Sequence, residues 1–232
     1  MKQVELANQE WVAWNNVGAN KRAECLLDWA NILLKDQSLG SMPSKMINYQ
    51  IQEALPLIAK VQVMPGPTGE SNELYCSGRG TFVITSCESV PVVAVAGLIA
   101  GALIAGNCIL LCLPNSESAL AHKLVTTLNS VGIKGHIIQI VDFKHIDYLI
   151  ENQSTAGVGY AGEEAQALQI NKQLASRDGF IAQLIVESDF KQFTTLADCF
   201  FVYRFITERT RTINVTAVGG NARLLALGSG DK

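Results

Sequence analysis

The sequence predicts an α/β protein in which a parallel β-sheet is covered by helices on both faces. The first observation behind this prediction is a regular alternation of short apolar, β-rich segments with helical segments, which starts at Thr81 and continues to Val186. The second is the composition, because 48% of the 232 residues are hydrophobic and only 17% are charged, as in a globular chain with a large core. Helices precede the alternating pattern and a β-hairpin follows it. The chain therefore divides into 1–63, 64–187 and 188–232.

The first part, residues 1–63, is expected to be a helical lead. Helices are predicted at 5–14, 21–34 and 45–59, and in the second of these the apolar residues follow one stripe. Residues 64–73 then read Met-Pro-Gly-Pro-Thr-Gly-Glu-Ser-Asn-Glu, which is dense in turn-forming residues. We expect this segment to be an irregular linker between the lead and the core.

The second part, residues 64–187, is expected to hold the parallel sheet. Pro91 stands in the first turn of a predicted helix, and Gly106-Asn107 marks the turn that follows it. The predicted strands are 81–86, 108–113, 136–141, 157–160 and 180–186, and the predicted helices are 91–105, 117–130, 145–151 and 163–175.

The third part, residues 188–232, is expected to form a short helix at 193–203 and then a β-hairpin, called here the flap. Residues 209–218 alternate Thr or Asn with Ile or Val, Gly219-Gly220-Asn221 is a turn, and 223–227 is the second strand. A lone hairpin is marginally stable in water. The flap is therefore expected to pair with another sheet edge, in the same chain or in a partner.

Two classes of function are disfavoured by charge and patterning. The net charge of −3 and the absence of a Lys/Arg run argue against a nucleic-acid-binding protein. The uncharged stretch from Val90 to Pro114 is long enough to span a bilayer, but Gly106-Asn107 divides it and no basic or aromatic residues flank it. A central strand with a helix packed on it is the expected interpretation. The N-terminal residues lack the apolar core of a signal peptide, so a cytoplasmic location is expected.

The six cysteines are scattered. Cys108 and Cys112 lie on one predicted strand about 13 Å apart, so we expect them to be core thiols. Cys199, in Ala-Asp-Cys-Phe-Phe, is expected to be a buried structural thiol in an apolar helical stretch. The three histidines have no metal-ligand spacing with one another or with the cysteines, and no metal is expected.

Two motifs carry a resemblance to a known family. Leu57–Gly80 contains Pro-Gly-Pro-Thr-Gly-Glu-Ser-Asn, and Glu208–Ala222 reads Glu-Arg-Thr-Arg-Thr-Ile-Asn-Val-Thr-Ala-Val-Gly-Gly-Asn-Ala. Ala175–Gly179, Ala-Ser-Arg-Asp-Gly, is a weaker third match. These segments resemble the C-terminal aldehyde-dehydrogenase-superfamily domain of proline utilisation A, a bifunctional proline dehydrogenase and Δ1-pyrroline-5-carboxylate dehydrogenase.

The resemblance implies a Rossmann-like core of the aldehyde dehydrogenase NAD-binding-domain type. Full-length members oxidise proline with FAD and then oxidise glutamate semialdehyde to glutamate with NAD. The matching region of the longer members is a non-catalytic relative of the NAD-binding domain, followed by a tail that packs on the true dehydrogenase. We therefore expect a non-catalytic domain without cofactor, which supports assembly of a Δ1-pyrroline-5-carboxylate dehydrogenase module and covers its active site. The alternative is the NAD-binding part of a split dehydrogenase of this kind.

Residues that aldehyde oxidation requires in the family are missing here. The reaction needs a cysteine nucleophile and donors for an oxyanion, and none of the six cysteines follows the Gly-Gln-x-Cys pattern. Where the family has Pro-Trp-Asn-Phe-Pro, this chain has Ser86–Pro91, in which Glu88 would repel developing negative charge. Where the family has Lys-Pro-Ser-Glu, this chain has Cys112–Asn115 without a lysine. No catalytic residue is expected.

One cofactor feature is retained in part. Gly159 and Gly162 flank Tyr160-Ala161 between a predicted strand and helix, like the Phe-Thr-Gly-Ser turn of the superfamily, and are weak candidates for binding a pyrophosphate. Glu163 and Glu164 in the first turn of the helix oppose a phosphate there. An ordinary β–α turn is the favoured interpretation, and NAD is expected only under the alternative.

The flap carries the predicted docking residues. Arg209, Asn214, Gly219, Gly220 and Asn221 lie on a strand pair whose edge must be covered. The C-terminal motif favours docking on a Δ1-pyrroline-5-carboxylate dehydrogenase module, in the same or another chain, and self-association through the flap is the other possibility.

Overall fold

The computed structural model describes residues 2–214, which form two separate sheets and seven α-helices. The helices are α1 Lys2–Asn16, α2 Ala19–Lys35, α3 Met42–Ile58, α4 Val92–Ile104, α5 Ser118–Ser130, α6 Ile146–Glu151 and α7 Glu164–Ser176. The strands are β1 Gln62–Met64, β2 Glu70–Gly78, β3 Thr81–Ser86, β4 Cys108–Leu111, β5 Ile138–Ile140, β6 Thr155–Ala161, β7 Gln183–Glu187 and β8 Ile206–Asn214. Short 3₁₀ helices cover 115–117, 143–145 and 201–205.

The larger sheet is parallel, as the alternating pattern predicts, with strand order β5-β4-β3-β6-β7. Every residue of β3 and β4 is buried, which explains why these strands are almost continuously apolar. The chain leaves β3 toward β4 on one side and returns to β6 on the other side. The carboxyl ends of β3 and β6 therefore flank a topological switch point, where open α/β sheets form ligand clefts.

The uncharged stretch from Val90 to Pro114 folds into α4 and β4 inside this core. All but the first residue of α4 are buried. Its glycines allow side chains from other segments to pack closely against the helix. A Cβ at Gly97 would lie 2.9 Å from Leu196 Cδ1, and at Gly101 it would overlap the ring of Phe201. Between residues 2 and 214, no helix combines the length and hydropathy needed to cross a membrane.

The smaller sheet is antiparallel, with the order β1-β2-β8. All nine residues of β2 pair with β8, from Glu70 opposite Asn214 to Gly78 opposite Ile206. The expectation of an irregular linker at 64–73 is therefore wrong for residues 70–73, which begin β2, and residue 64 belongs to β1. The physical reason is a long-range pairing partner, because β8 supplies the backbone hydrogen bonds that the local sequence does not suggest.

The segment 193–203 is also not the helix that the sequence predicts. Phe193 has a positive φ of 54°, and the backbone N–H groups of Thr195 and Leu196 donate to the Glu187 carboxylate instead of continuing a helix. Only 201–205 forms a short 3₁₀ helix. As a result Cys199 is exposed, and the expectation of a buried thiol at this position is wrong.

The first strand of the flap is present as β8, and it pairs with β2 of the same chain. The predicted turn at Gly219-Gly220-Asn221 and the second strand at 223–227 lie outside the described residues.

Candidate functional site

A cleft of about 660 Å³ opens at the carboxyl ends of β3 and β6, at the switch point of the parallel sheet. The end of β3 and the residues after it form one wall, from Thr85 to Glu88. Helices α6 and α7 contribute the facing side chains, and Pro114 and Tyr160 complete the lining. This volume lies within the range of small-molecule and cofactor sites.

The turn between β6 and α7 directs its amides to groups of the same chain. The N–H of Gly162 donates to the carbonyl oxygen of Glu187 at 3.0 Å. The phenolic oxygen of Tyr160 lies near the backbone N–H of Glu163. The ring of Tyr160 also covers Gly162 so closely that a Cβ there would overlap it. A tyrosine side chain therefore lies at the N-terminus of α7, where an anion would otherwise meet amide donors.

The two candidate glycines have different roles in the structure. Gly162 is at the turn under Tyr160, whereas Gly159 lies inside β6, where a Cβ would come within 2.7 Å of Ile84 and 3.3 Å of Leu98. Neither glycine is among the residues that line the cleft. The close packing of β3 and α4 on β6 thus explains why position 159 has no side chain.

The charged side chains of the cleft are all acidic. Glu88, Asp147 and Glu163 line it, and its described lining includes no lysine, arginine or histidine. Glu163 is the N-cap residue of α7, and Glu164 lies in the first turn, as the sequence predicts. Carboxylates at a helix N-terminus stabilise the helix dipole and repel other anions.

Two further residues of the cleft wall, Ser86 and Cys87, were not selected as site residues from the sequence. Burial raises the pKa of the Cys87 thiol, and the nearby carboxylates of Glu163 and Glu117 raise it further. This thiol is therefore protonated near neutral pH and is a weak nucleophile. Ser86 is 4% exposed, and its hydroxyl has no hydrogen-bond partner among the described residues.

Cys108 and Cys112 are core thiols, as the sequence predicts. Burial raises the pKa of each to about 12, so neither forms thiolate at neutral pH. Within residues 2–214, no cluster of three or more histidine, cysteine or acidic side chains is arranged to hold a metal ion.

We expect the exposed Cys199 to react with a thiol reagent such as 5,5′-dithiobis(2-nitrobenzoate) much faster than Cys108 or Cys112 in the folded protein. The fast phase should disappear in Cys199→Ser, and the two core thiols should react only after unfolding. A Cys199→Ser variant that keeps the fast phase would contradict the exposed position of this residue.

The described docking candidates lie on β8, along the open surface of the smaller sheet. Arg209 is exposed and stands opposite Tyr75, and Asn214 is exposed and stands opposite Glu70. Between them, Arg211 forms an ion pair with Glu73. Gly219, Gly220 and Asn221, the other candidates, are outside the described residues.

Comparison with solved structures gives a close match to proline utilization A from Bradyrhizobium japonicum. The identity is 26% with a TM-score of 0.71, over 81% of this chain and 22% of that one. The chain is similar to one part of proline utilization A. A 1-pyrroline-5-carboxylate dehydrogenase structure from Thermus thermophilus shares the fold, with a TM-score of 0.68 and 18% identity over 80% of this chain. The aldehyde-dehydrogenase type of fold expected from the sequence is thereby confirmed.

Sequence comparison identifies the same group of proteins. The 1-pyrroline-5-carboxylate dehydrogenase of Staphylococcus aureus (strain MW2) is 24% identical over 206 residues, which are 78% of this chain and 40% of that protein. The enzyme of Anoxybacillus flavithermus is 24% identical over 132 residues, or 56% of this chain. No protein-family profile matches. The proline-utilization-A-like chain thus spans about 40% of the first of these relatives and about one fifth of proline utilization A.

Proposed function

We propose that this chain is a non-catalytic, aldehyde-dehydrogenase-like domain of proline catabolism, which supports the assembly of a Δ1-pyrroline-5-carboxylate dehydrogenase module and covers its active site. The carrying observation is the turn at the N-terminus of α7. There the Tyr160 side chain covers Gly162, and its hydroxyl lies near the Glu163 N–H. For this reason the residues of the turn do not fit the pyrophosphate of NAD, and no cofactor is proposed.

The cysteines support the non-catalytic part of the proposal. Cys87 is the cysteine that lines the cleft, and burial together with two carboxylates keeps its thiol protonated. Glu88 follows it directly, so an oxyanion formed beside Cys87 would meet a negative charge rather than a donor. All six cysteines are present as thiols, which fits the reducing cytoplasm that we propose as the location.

The assembly part of the proposal rests on the exposed strand β8 of the smaller sheet and on the similarity to longer proteins. Residues 208–214 of β8 are exposed, although they form a regular strand next to β2. The chain is similar to part of longer dehydrogenase proteins, which supports the proposal that this exposed strand packs on a dehydrogenase module. Arg209 and Asn214 on β8 are the described residues proposed to contact the dehydrogenase module.

The test is an assay of Δ1-pyrroline-5-carboxylate oxidation with the purified chain, with the dehydrogenase of the same source, and with both together. We expect no turnover from the chain alone, co-elution of the two proteins in gel filtration, and slower thermal inactivation of the dehydrogenase in the mixture. Arg209→Glu should weaken the complex, and Lys172→Glu, an exposed position on α7, should not. Turnover by the chain alone, or absence of a complex, would refute the proposal.

A second function is favoured by one observation, the open cleft of about 660 Å³ at the switch point of the sheet. In this alternative the chain is the NAD-binding part of a split Δ1-pyrroline-5-carboxylate dehydrogenase, and another chain supplies the nucleophilic cysteine. NAD binding to the isolated chain separates the two proposals.

A further inference from the structure

Strand β7 is an open edge of the parallel sheet. It pairs with β6 on one side, and within the described part of the chain no strand pairs with its other side. The carbonyl oxygen of Glu187 accepts from the N–H of Gly162, so the backbone of Glu187 faces β6. Because backbone groups alternate in direction along a strand, those of Leu184 and Val186 face outward. Ala182, two residues before Leu184, continues this outward series.

The edge carries none of the features that usually block strand pairing. Residues 179–186 read Gly-Phe-Ile-Ala-Gln-Leu-Ile-Val, without a charged residue or a proline. Exposed edges in native proteins are commonly protected by lysine, by proline or by a bulge. The pairing of β7 with β6 continues without a shift in register. An uncharged, regular edge of this kind is a template for another strand.

The segment before β7 exposes two large apolar side chains. Phe180 is 88% exposed and Ile181 is 95% exposed. The guanidinium of Arg177 donates to the carbonyl oxygen of Phe180 at 3.3 Å. It also donates to the carbonyl oxygens of Asn152 and Thr155, at 2.5 and 2.7 Å. These bonds tie the segment to the start of β6, so the two apolar side chains are held beside the strand edge, where a partner would bury them.

We propose that two copies of this chain pair through β7 in antiparallel orientation, so that two five-stranded sheets join into one. The outward-facing residues Ala182, Leu184 and Val186 are symmetric about Leu184, which therefore lies at the two-fold axis. Leu184 pairs with the same residue of the second copy, and Ala182 pairs with the partner's Val186. The backbone groups that face outward in one copy become hydrogen-bonded to those of the other.

The charge pattern favours a second copy as the occupant of this edge. Self-pairing sets the segment 179–186 against itself, and like charges opposite one another would destabilise such a pair, but this segment has none. The charged residue that follows, Glu187, is fully buried and already accepts from three backbone N–H groups. A charged strand such as β8 would instead set Glu208, Arg209 and Arg211 against apolar side chains. The dimer uses the parallel sheet and does not depend on the assembly role.

Sedimentation velocity of the purified chain over a range of concentrations tests the dimer. We expect a reversible monomer–dimer equilibrium at micromolar concentration, weakened about tenfold or more by Ile181→Lys, which places a charge in the interface. Val63→Lys is the matched control, because Val63 is 77% exposed on β1 of the smaller sheet, and it should leave the equilibrium unchanged. A chain that stays monomeric at high micromolar concentration, or a dimer that Val63→Lys weakens and Ile181→Lys does not, would overturn the proposal.

A charge-swap experiment tests the position of the axis. Leu184→Lys alone and Leu184→Glu alone should each lose the dimer, because like charges would face each other across the axis. An equimolar mixture of the two variants should regain it as a heterodimer. The same two substitutions at Ile181, which lies away from the axis, should not recover on mixing. Equal recovery at both positions, or no recovery at Leu184 while thermal unfolding shows that both variants are folded, would overturn the two-fold pairing.

Use of this edge by the dehydrogenase module would give a different result. The chain alone would then be monomeric, and Ile181→Lys would weaken the complex with the dehydrogenase. That outcome would overturn the dimer and keep the assembly role. A dimer without a dehydrogenase complex would keep the pairing through β7 and remove the assembly role.

Discussion

Replacing Asn107 with alanine is expected to lower the free energy of unfolding by about 3–5 kcal/mol, since several buried groups lose their partners at once. Asn107 is fully buried, and its side chain makes four hydrogen bonds to backbone groups. Its Oδ1 accepts from the N–H groups of Arg79 and Gly80, and its Nδ2 donates to the carbonyl oxygens of Ala102 and Phe205. One amide thus joins the turn before β3, the end of α4 and the start of β8.

Urea unfolding followed by circular dichroism measures this effect, and Asn129→Ala on the exposed face of α5 is the matched control. The control should change the free energy of unfolding by less than about 0.5 kcal/mol. Asn107→Asp should also be strongly destabilising, because it places an oxygen where Nδ2 faced two carbonyl oxygens. Stability of Asn107→Ala close to that of the control would contradict the role given to this side chain.

Replacing Glu187 with alanine is expected to lower the free energy of unfolding by about 3 kcal/mol, because bonds from backbone N–H groups to a buried carboxylate are stronger than neutral ones. Glu187 is fully buried at the end of β7. Its carboxylate accepts from the N–H groups of Asp189, Thr195 and Leu196, at 2.9, 3.1 and 3.0 Å. These bonds hold the loop after β7 against the parallel sheet.

The effect is measured by the same urea titration, with Glu151→Ala at the exposed end of α6 as control. Glu187→Gln should lie between wild type and alanine, because an amide keeps one acceptor oxygen and presents its NH₂ group to donors. Hydrogen exchange should also become faster at Thr195 and Leu196 in Glu187→Ala. Unchanged protection at these two amides would show that the carboxylate does not hold the loop.

Local pattern was sufficient to predict the parallel sheet. The apolar, fully buried strands β3 and β4 and the proline-started helix α4 all follow from residues close in sequence. The elements that the sequence predicted wrongly depend on distant residues. The start of β2 is set by its pairing with β8, and the loop at 193–200 is shaped by the carboxylate of Glu187 and by the packing of Leu196 on Gly97 of α4. The aromatic residues of this segment have the spacing of a helix, but they pack against the core without forming an α-helix.

The position of the turn between β6 and α7 follows from the sequence, but the residues that line the cleft do not. The sequence indicates the turn at Gly162 and the acidic residue Glu163 at the start of α7. It does not show that Tyr160, two residues before the glycine, folds its ring back over the turn. A side-chain direction of this kind is set by packing in three dimensions. The unpartnered hydroxyl of Ser86 could likewise be identified only from its surroundings.

The most direct test of the non-catalytic assignment is a calorimetric titration of the purified chain with NAD⁺, repeated on Tyr160→Ala. We expect no binding heat with the wild-type chain, because the Tyr160 side chain covers Gly162 and the negative charge of Glu163 at the N-terminus of α7 repels a pyrophosphate. Micromolar binding of NAD⁺ to the wild-type chain, lost when Gly162→Val fills the turn, would contradict the account and favour the split dehydrogenase.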